Sequence, residues 1–261
     1  MQLLKFLSYL FISSFILVSC SDDDDNTPIN NNESQVANLR PLGSSANDLL
    51  SATTFNSLSI EIVSVQGFEP TAAAISGFRE FLQERLFKPD GITITQRTVT
   101  SSNNAPFNIE EVAEIENDTR SLFNLEDDIA VYVYFADGGK EDDTDEQVTL
   151  GSAYLNTSMV IYESTLRRLS TRPNAPSLST IETATLNHEF AHLLGLVNIG
   201  TPLQSEHEDT DADGDGNGHC NVPSCLMEAA IEFGSGMMGM GEVIPELDAQ
   251  CIADLQANGG R

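Results

Sequence analysis

Residues 57–65, SLSIEIVSV, alternate apolar and polar side chains, the period of a strand with one face on a core. The period then changes. Ile75, Phe78, Leu82 and Leu86 recur at helical spacing across residues 71–87, until Pro89-Asp90-Gly91 stops them. Residues 91–100, GITITQRTVT, alternate again and are β-branched, which predicts a second strand. A less clean helical pattern covers 109–123. The near-continuous apolar run DIAVYVYFA, 128–136, predicts a central strand buried on both faces. An exposed acidic loop, 137–147, separates it from two short strands, 150–156 and 158–164, which read as a hairpin. Residues 177–195 form a long helix, with Ser179 and Glu182 spaced as a capping box and Gly195 as its stop. After an irregular stretch rich in Gly, Asp and Met, residues 245–257 form a last helix opened by Pro245. This order of elements predicts one α/β domain over residues 51–261, built on a mixed twisted sheet. Roughly 210 residues suffice for a single good core.

The first residues have a different pattern. Lys5 precedes an apolar stretch, 6–18, shorter than the ~20 apolar residues of a comfortable membrane span, so residues 1–19 read as an export signal. The end, LVSC, resembles a bacterial lipobox, which implies acylation of Cys20; a simple cleaved signal followed by a chance cysteine is the alternative. SDDDD follows, as in the acidic export tags of some surface lipoproteins, and residues 20–50 read as an acylated, acidic, flexible tether. The expected location is the outer membrane, at the cell surface, with contact to the membrane only through the lipid. The formal net charge of −28 excludes nucleic acid and anionic bilayers as partners and favours a soluble monomer.

All four histidines of the chain lie between positions 188 and 219. His188 and His192 are four apart and share one helix face, with Glu189 beside them. Two imidazoles and a carboxylate so placed suit a zinc ion and the activation of a water. With the glycine included, HEFAHLLG resembles the metzincin metallopeptidases, whose pattern is HExxHxxGxxH followed by a Met-turn. The third-ligand position of that pattern holds Asn198, a poor zinc donor, so either the third ligand comes from elsewhere, with His207 and His219 available, or the site is weakened. The segment HCNVPSCLM, 219–227, resembles the archaemetzincin branch of these enzymes. That resemblance implies His219 as third ligand, Met227 as the Met-turn residue, and an insertion between Gly195 and His219; His207 stays as the alternative ligand. It implies Glu189 as general base, a zincin-like fold with an active-site helix and a C-terminal helix, and an extended protein or peptide substrate paired with the strand at 150–156. The tyrosine that some relatives carry after the Met-turn is replaced by Glu228.

Cys220, Cys225 and Cys251 are the remaining cysteines. The archaemetzincin branch holds a second zinc with the help of a later CxxC pair, and three cysteines cannot build a four-cysteine site. A Cys220–Cys225 disulfide is the simpler expectation for an exported chain. Asp209, Asp211, Asp213 and Asp215 match the first half of a calcium loop, but position twelve is Cys220 rather than glutamate, so calcium and a mobile acidic loop stand level. Function then divides between a zinc endopeptidase and a catalytically weakened, surface-anchored zincin-like binding module. Glu189 favours the enzyme; Asn198 and the missing tyrosine favour the binding module. A metal-scavenging lipoprotein is a third, weaker reading.

Overall fold

The computed structural model describes residues 31–144, 147–234 and 241–261. The signal-like segment, Cys20 and the aspartate run lie outside the described residues, as do Met237, Met238 and Met240. The tether expected through residue 50 ends earlier. Two helices, α1 (Asn31–Asn38) and α2 (Ala46–Leu50), belong to the same body as the rest of the described chain. Asn38 is fully buried and donates to Asn124 Oδ1 (2.8 Å), Ala130 O (3.0 Å) and Thr157 Oγ1 (3.0 Å), while its own Oδ1 accepts from the Asn124 amide at 2.9 Å. A composition that looks like a polar linker thus supplies the donors and acceptor that satisfy buried backbone.

The predicted βαβ rhythm follows. β1 (Ser57–Val65) leads through α3 (Ala72–Arg85) to β2 (Gly91–Val99), then through α4 (Ile109–Thr119) to β3 (Asp128–Phe135). β4 (Gly151–Leu155) and β5 (Ser158–Ile161) form the expected hairpin. The sheet order is β2-β1-β3-β5-β4, parallel throughout except for β4, which lies antiparallel at one edge. One face of β1 and β3 (Leu58, Ile60, Ile62, Ile129, Val131, Val133) packs with Phe78, Leu82, Leu186 and Phe190 in the main core. The opposite face (Val63, Val65, Tyr132, Tyr134) packs with Val112 of α4 and with Phe107. Period-two alternation therefore separates two apolar layers across one sheet.

Two elements depart from the sequence pattern. The residues after β5 fold as α5 (Glu163–Ser170), which buries Leu166 and Leu169. The long helix is α6 (Leu178–Leu193), and its N-cap is Ser177, whose hydroxyl accepts from the Thr180 amide. Glu182 does not close a capping box there. Its carboxylate accepts the amide of Thr71, the N-cap of α3, at 3.1–3.2 Å and so ties the two helices together. Phe78 and Phe190 meet edge-to-face across the same contact, with ring centroids 5.4 Å apart. Beyond α6 come the two-stranded β6 (Glu208–Thr210) and β7 (Gly216–Cys220), the short α7 (Ala229–Glu232), and α8 (Ala249–Ala257). α8 begins four residues after Pro245 because Asp248 is its N-cap, accepting from Gln250 and Cys251. Among the described residues no helix is long and apolar enough to cross a membrane.

Candidate metal centre

α6 is buried over its last turns, and its i, i+4 geometry sets the two histidine rings side by side, their Nε2 atoms 3.1 Å apart. Two nitrogens bound to one tetrahedral zinc at ~2.05 Å would stand about 3.3 Å apart, so the spacing fits a shared metal. His188 Nδ1 donates to the Leu226 carbonyl at 2.7 Å, which fixes the tautomer and leaves Nε2 with a free lone pair. Burial pushes the His188 imidazole down to about 4, helped by the nearby His219; His192 is driven well below its usual value by burial and then by both neighbours. Both rings are thereby kept neutral, the form a metal requires.

The helix stops at Gly195, which adopts φ +71. A β-carbon there would stand 2.7 Å from the Thr201 amide and 2.9 Å from Ala46 Cβ, so only glycine permits this turn. Asn198 is not a ligand: its amide donates to Glu208 Oε2 at 3.0 Å and secures the start of β6. The β6–β7 hairpin then carries His219 back to the α6 pair. Its ring lies 5.4 Å from His188 and 5.0 Å from His192, centroid to centroid. His219 Nδ1 lies 3.1 Å from the Asn217 carbonyl, which again leaves Nε2 for a metal. His207 is placed elsewhere. It is fully buried, with Nε2 3.3 Å from Asp254 Oδ2 and 3.6 Å from Cys251 Sγ.

Glu189 faces the sheet edge. Its Oε2 accepts from the Ala153 amide of β4 at 2.8 Å, while Oε1 is buried and has no hydrogen-bond partner among the described residues. Burial raises this carboxyl well above the ordinary range, and the charge of Glu232 raises it further. Gly151 lets the strand come so close: a β-carbon there would sit 2.6 Å from Glu189 Cγ. A cleft of about 450 Å³ opens over the site, lined by Lys140, Ser152, Ala153, Glu189, His192, His219 and Glu232 among others.

Among the described residues two groups of donors converge tightly enough for a metal. The first is His188, His192, His219 and Glu232; the second is Cys220, Cys225, Asp248 and Cys251. The expected Cys220–Cys225 disulfide is not formed, and all three cysteines are free and buried. Cys225 and Cys251 Sγ stand 3.8 Å apart, the separation of two thiolates on one tetrahedral zinc at ~2.3 Å. Cys220 Sγ lies 3.0 Å from Asp248 Oδ2. A carboxylate from the N-cap of α8 thus completes what three cysteines could not. The calcium expectation gains nothing: Asp209, Asp211, Asp213 and Asp215 are in neither group, and Asp211 accepts the amides of Asp213 and Asp215 within its own exposed turn. Met227 is fully buried in the same turn as Leu226, whose carbonyl binds His188, and its own carbonyl accepts from the Cys220 amide at 2.7 Å. Glu232 and Asp248 carry no sequence signal for metal binding; only folding brings them to their clusters.

No family model and no curated protein matches the chain. Solved structures do. The chain superposes on archaemetzincin from Methanopyrus kandleri with a TM-score of 0.52 and 16% identity, over 78% of this chain and 96% of that one. The fold is archaemetzincin-like. It is also similar to metalloproteinase-II from Bacteroides fragilis (TM-score 0.45, 17% identity, 80% of this chain and 54% of that one). A zinc-dependent peptidase from Methanocorpusculum labreanum is a further match (0.41, 11%, 75% and 99%).

Proposed function

We propose that the protein is a zinc endopeptidase whose catalytic metal is held by His188, His192 and His219, with Glu189 as general base. The observation that carries this reading is the convergence of three buried imidazoles with a carboxylate that is hydrogen-bonded to the sheet edge lining the same cleft. A structural metal site has no use for such a base. When bound, zinc supplies Lewis-acid polarisation of the scissile carbonyl and acidification of a water. Glu189 takes the proton of the attacking water on its unpaired Oε1 and delivers it to the leaving amine nitrogen, while the Ala153 amide holds Oε2 in place. An extended substrate lies along β4, the antiparallel edge strand, and adds to it by backbone pairing. The second cluster, Cys220, Cys225, Cys251 and Asp248, holds a structural zinc beside it. The lipobox-like segment and the acidic run that follows it support a surface lipoprotein.

The test uses the zinc-loaded protein and a broad library of quenched peptides. Cleavage by the wild type and its loss in Glu189→Gln, with zinc retained, is the expected result. A zinc-loaded protein that cleaves nothing in the library, as wild type and as Glu232→Ala alike, sinks the enzyme reading and leaves the binding module.

A further inference from the structure

Glu232 is the one member of the histidine cluster that the proposed mechanism does not use. It sits at the end of α7, five residues beyond Met227, and its Oε2 lies 2.8 Å from His219 Nε2. Four observations bear on what it does. The nitrogen it approaches is the metal-facing one, because Nδ1 of the same ring is engaged by the Asn217 carbonyl. The approach is not a hydrogen bond by direction, since His219 Nε2 is buried without a hydrogen-bond partner despite the short distance. Two potential donor atoms so close, without hydrogen-bond direction between them, suit a cation held by both. Finally, Glu232 is held from behind: its carbonyl accepts from the Leu150 amide at 2.9 Å, at the start of the edge strand. Its carboxylate oxygen lies within 4.8 Å of all three imidazole donor atoms.

We propose that Glu232 is a fourth protein ligand of the catalytic metal, capping the coordination position that a water and substrate need, so that the resting site is closed and latent. This deepens the peptidase reading and rests on it only for the meaning of latency; the ligation itself is a separate claim. Four protein donors make the closed arrangement typical of structural zinc, whereas catalytic sites keep one position open. Yet Glu232, unlike the histidine pair, is only partly covered: its side chain retains 15% of its exposure and lines the cleft beside Glu189 and Ala153. It is therefore the donor that an incoming ligand can displace, and a substrate strand laid along β4 passes the residue that anchors it.

The experiment compares wild type, Glu232→Gln and Glu232→Ala. Gln keeps the shape and volume of the side chain, but it is a poor zinc donor. Zinc affinity is measured by chelator competition, and acetohydroxamate binding to each zinc-loaded protein by calorimetry. Both variants are expected to bind zinc at least about 10-fold more weakly, as lost support of a metal site does, and to bind acetohydroxamate at least about 10-fold more tightly; peptide cleavage rises in parallel. If Glu232→Gln matches wild type in zinc and hydroxamate affinity, Glu232 merely positions His219 and the proposal is overturned, while a wild type that cleaves peptides keeps the enzyme reading intact. If both affinities shift as expected but no variant cleaves any peptide, the cap stands and the peptidase reading falls.

Discussion

Replacing Gly151 by alanine separates catalysis from folding at this site. The new β-carbon would stand 2.6 Å from Glu189 Cγ, 2.8 Å from Oε1 and 2.9 Å from Cδ. Ordinary carbon contacts begin at ~3.5 Å, so something must move by about 1 Å. The strand is poorly free to do so: Gly151 pairs with Ile161, and Leu150 is bonded on both sides, its amide to the Glu232 carbonyl and its carbonyl to the Tyr162 amide, each at 2.9 Å. Glu189 therefore gives way and weakens its 2.8 Å bond to the Ala153 amide. For folding this is affordable, because the crowded atoms belong to a side chain and alanine in a strand recovers ~0.5–1 kcal/mol of backbone entropy. For catalysis it is not, since a ~1 Å misplacement of a reacting group costs about 100-fold. The expected outcome for Gly151→Ala is kcat/KM down about 100-fold on a quenched peptide, with zinc per chain and Tm nearly unchanged. Activity within threefold of wild type, with zinc retained, would refute the reasoning; so would a loss of activity that tracks a loss of zinc or of fold.

Two further outcomes follow from the structure. Cys251→Ser is expected to lose the metal of the thiol cluster and keep that of the histidine cluster, read as zinc per chain by native mass spectrometry; unchanged zinc content would remove the second site. Glu163, buried and paired with Glu182 and Arg167, has its carboxyl pushed up to about 8, chiefly by burial and then by the Glu182 charge. Because the folded-state value exceeds the unfolded one, the folded chain holds the proton more tightly, so stability is fullest at acid pH and is lost as pH rises through about 8. Discounted for solvent access and for sharing with Glu182, the effect is about 2 kcal/mol, or roughly 6 °C in Tm for a domain of this size. The wild-type Tm should fall more than that of Glu163→Gln between about pH 6 and about pH 9, and parallel curves would count against it.

The strands were legible for two reasons: β1 alternates apolar and polar residues, and β3, which serves two apolar layers, shows as a near-continuous apolar run. α6 was legible for another reason. All of its residues from Thr180 to Leu193 are buried, so no polar stripe marks an outer face; its glycine stop and its histidines gave it away. Its polar residues are absorbed locally, Thr183 donating to the Ser179 carbonyl and Thr185 to the Ile181 carbonyl. The same concealment misled at the N-terminus. Asn38 reads as linker composition, and only the partners brought by β3 and the β4–β5 turn turn it into core. Sequence spacing can place His188 and Glu189 because one helix turn fixes them. It favours His219 only by resemblance and keeps His207 as the alternative, because a hairpin decides between them, and it is silent on Glu232 because α7 only acquires a direction once it packs.

The two donor clusters are mechanically one device. His219 and Cys220 are neighbours on β7, and Leu226, whose carbonyl fixes the His188 tautomer, lies between Cys225 and Met227. A metal on Cys220, Cys225, Cys251 and Asp248 would therefore pin both ends of the segment that places His219 and orients His188. A disulfide between Cys220 and Cys225 would close the small loop but tie it to nothing. A metal shared with α8 would tie it to the C-terminal helix, where Gln204 and His207 also converge on Asp254. The insertion between Gly195 and His219 can be long and exposed at its tip without loosening the site, because its far end is fixed by the thiol cluster and its near end by the Asn198–Glu208 bond. That is why Asn198 can stand where a ligand was expected without emptying the third position.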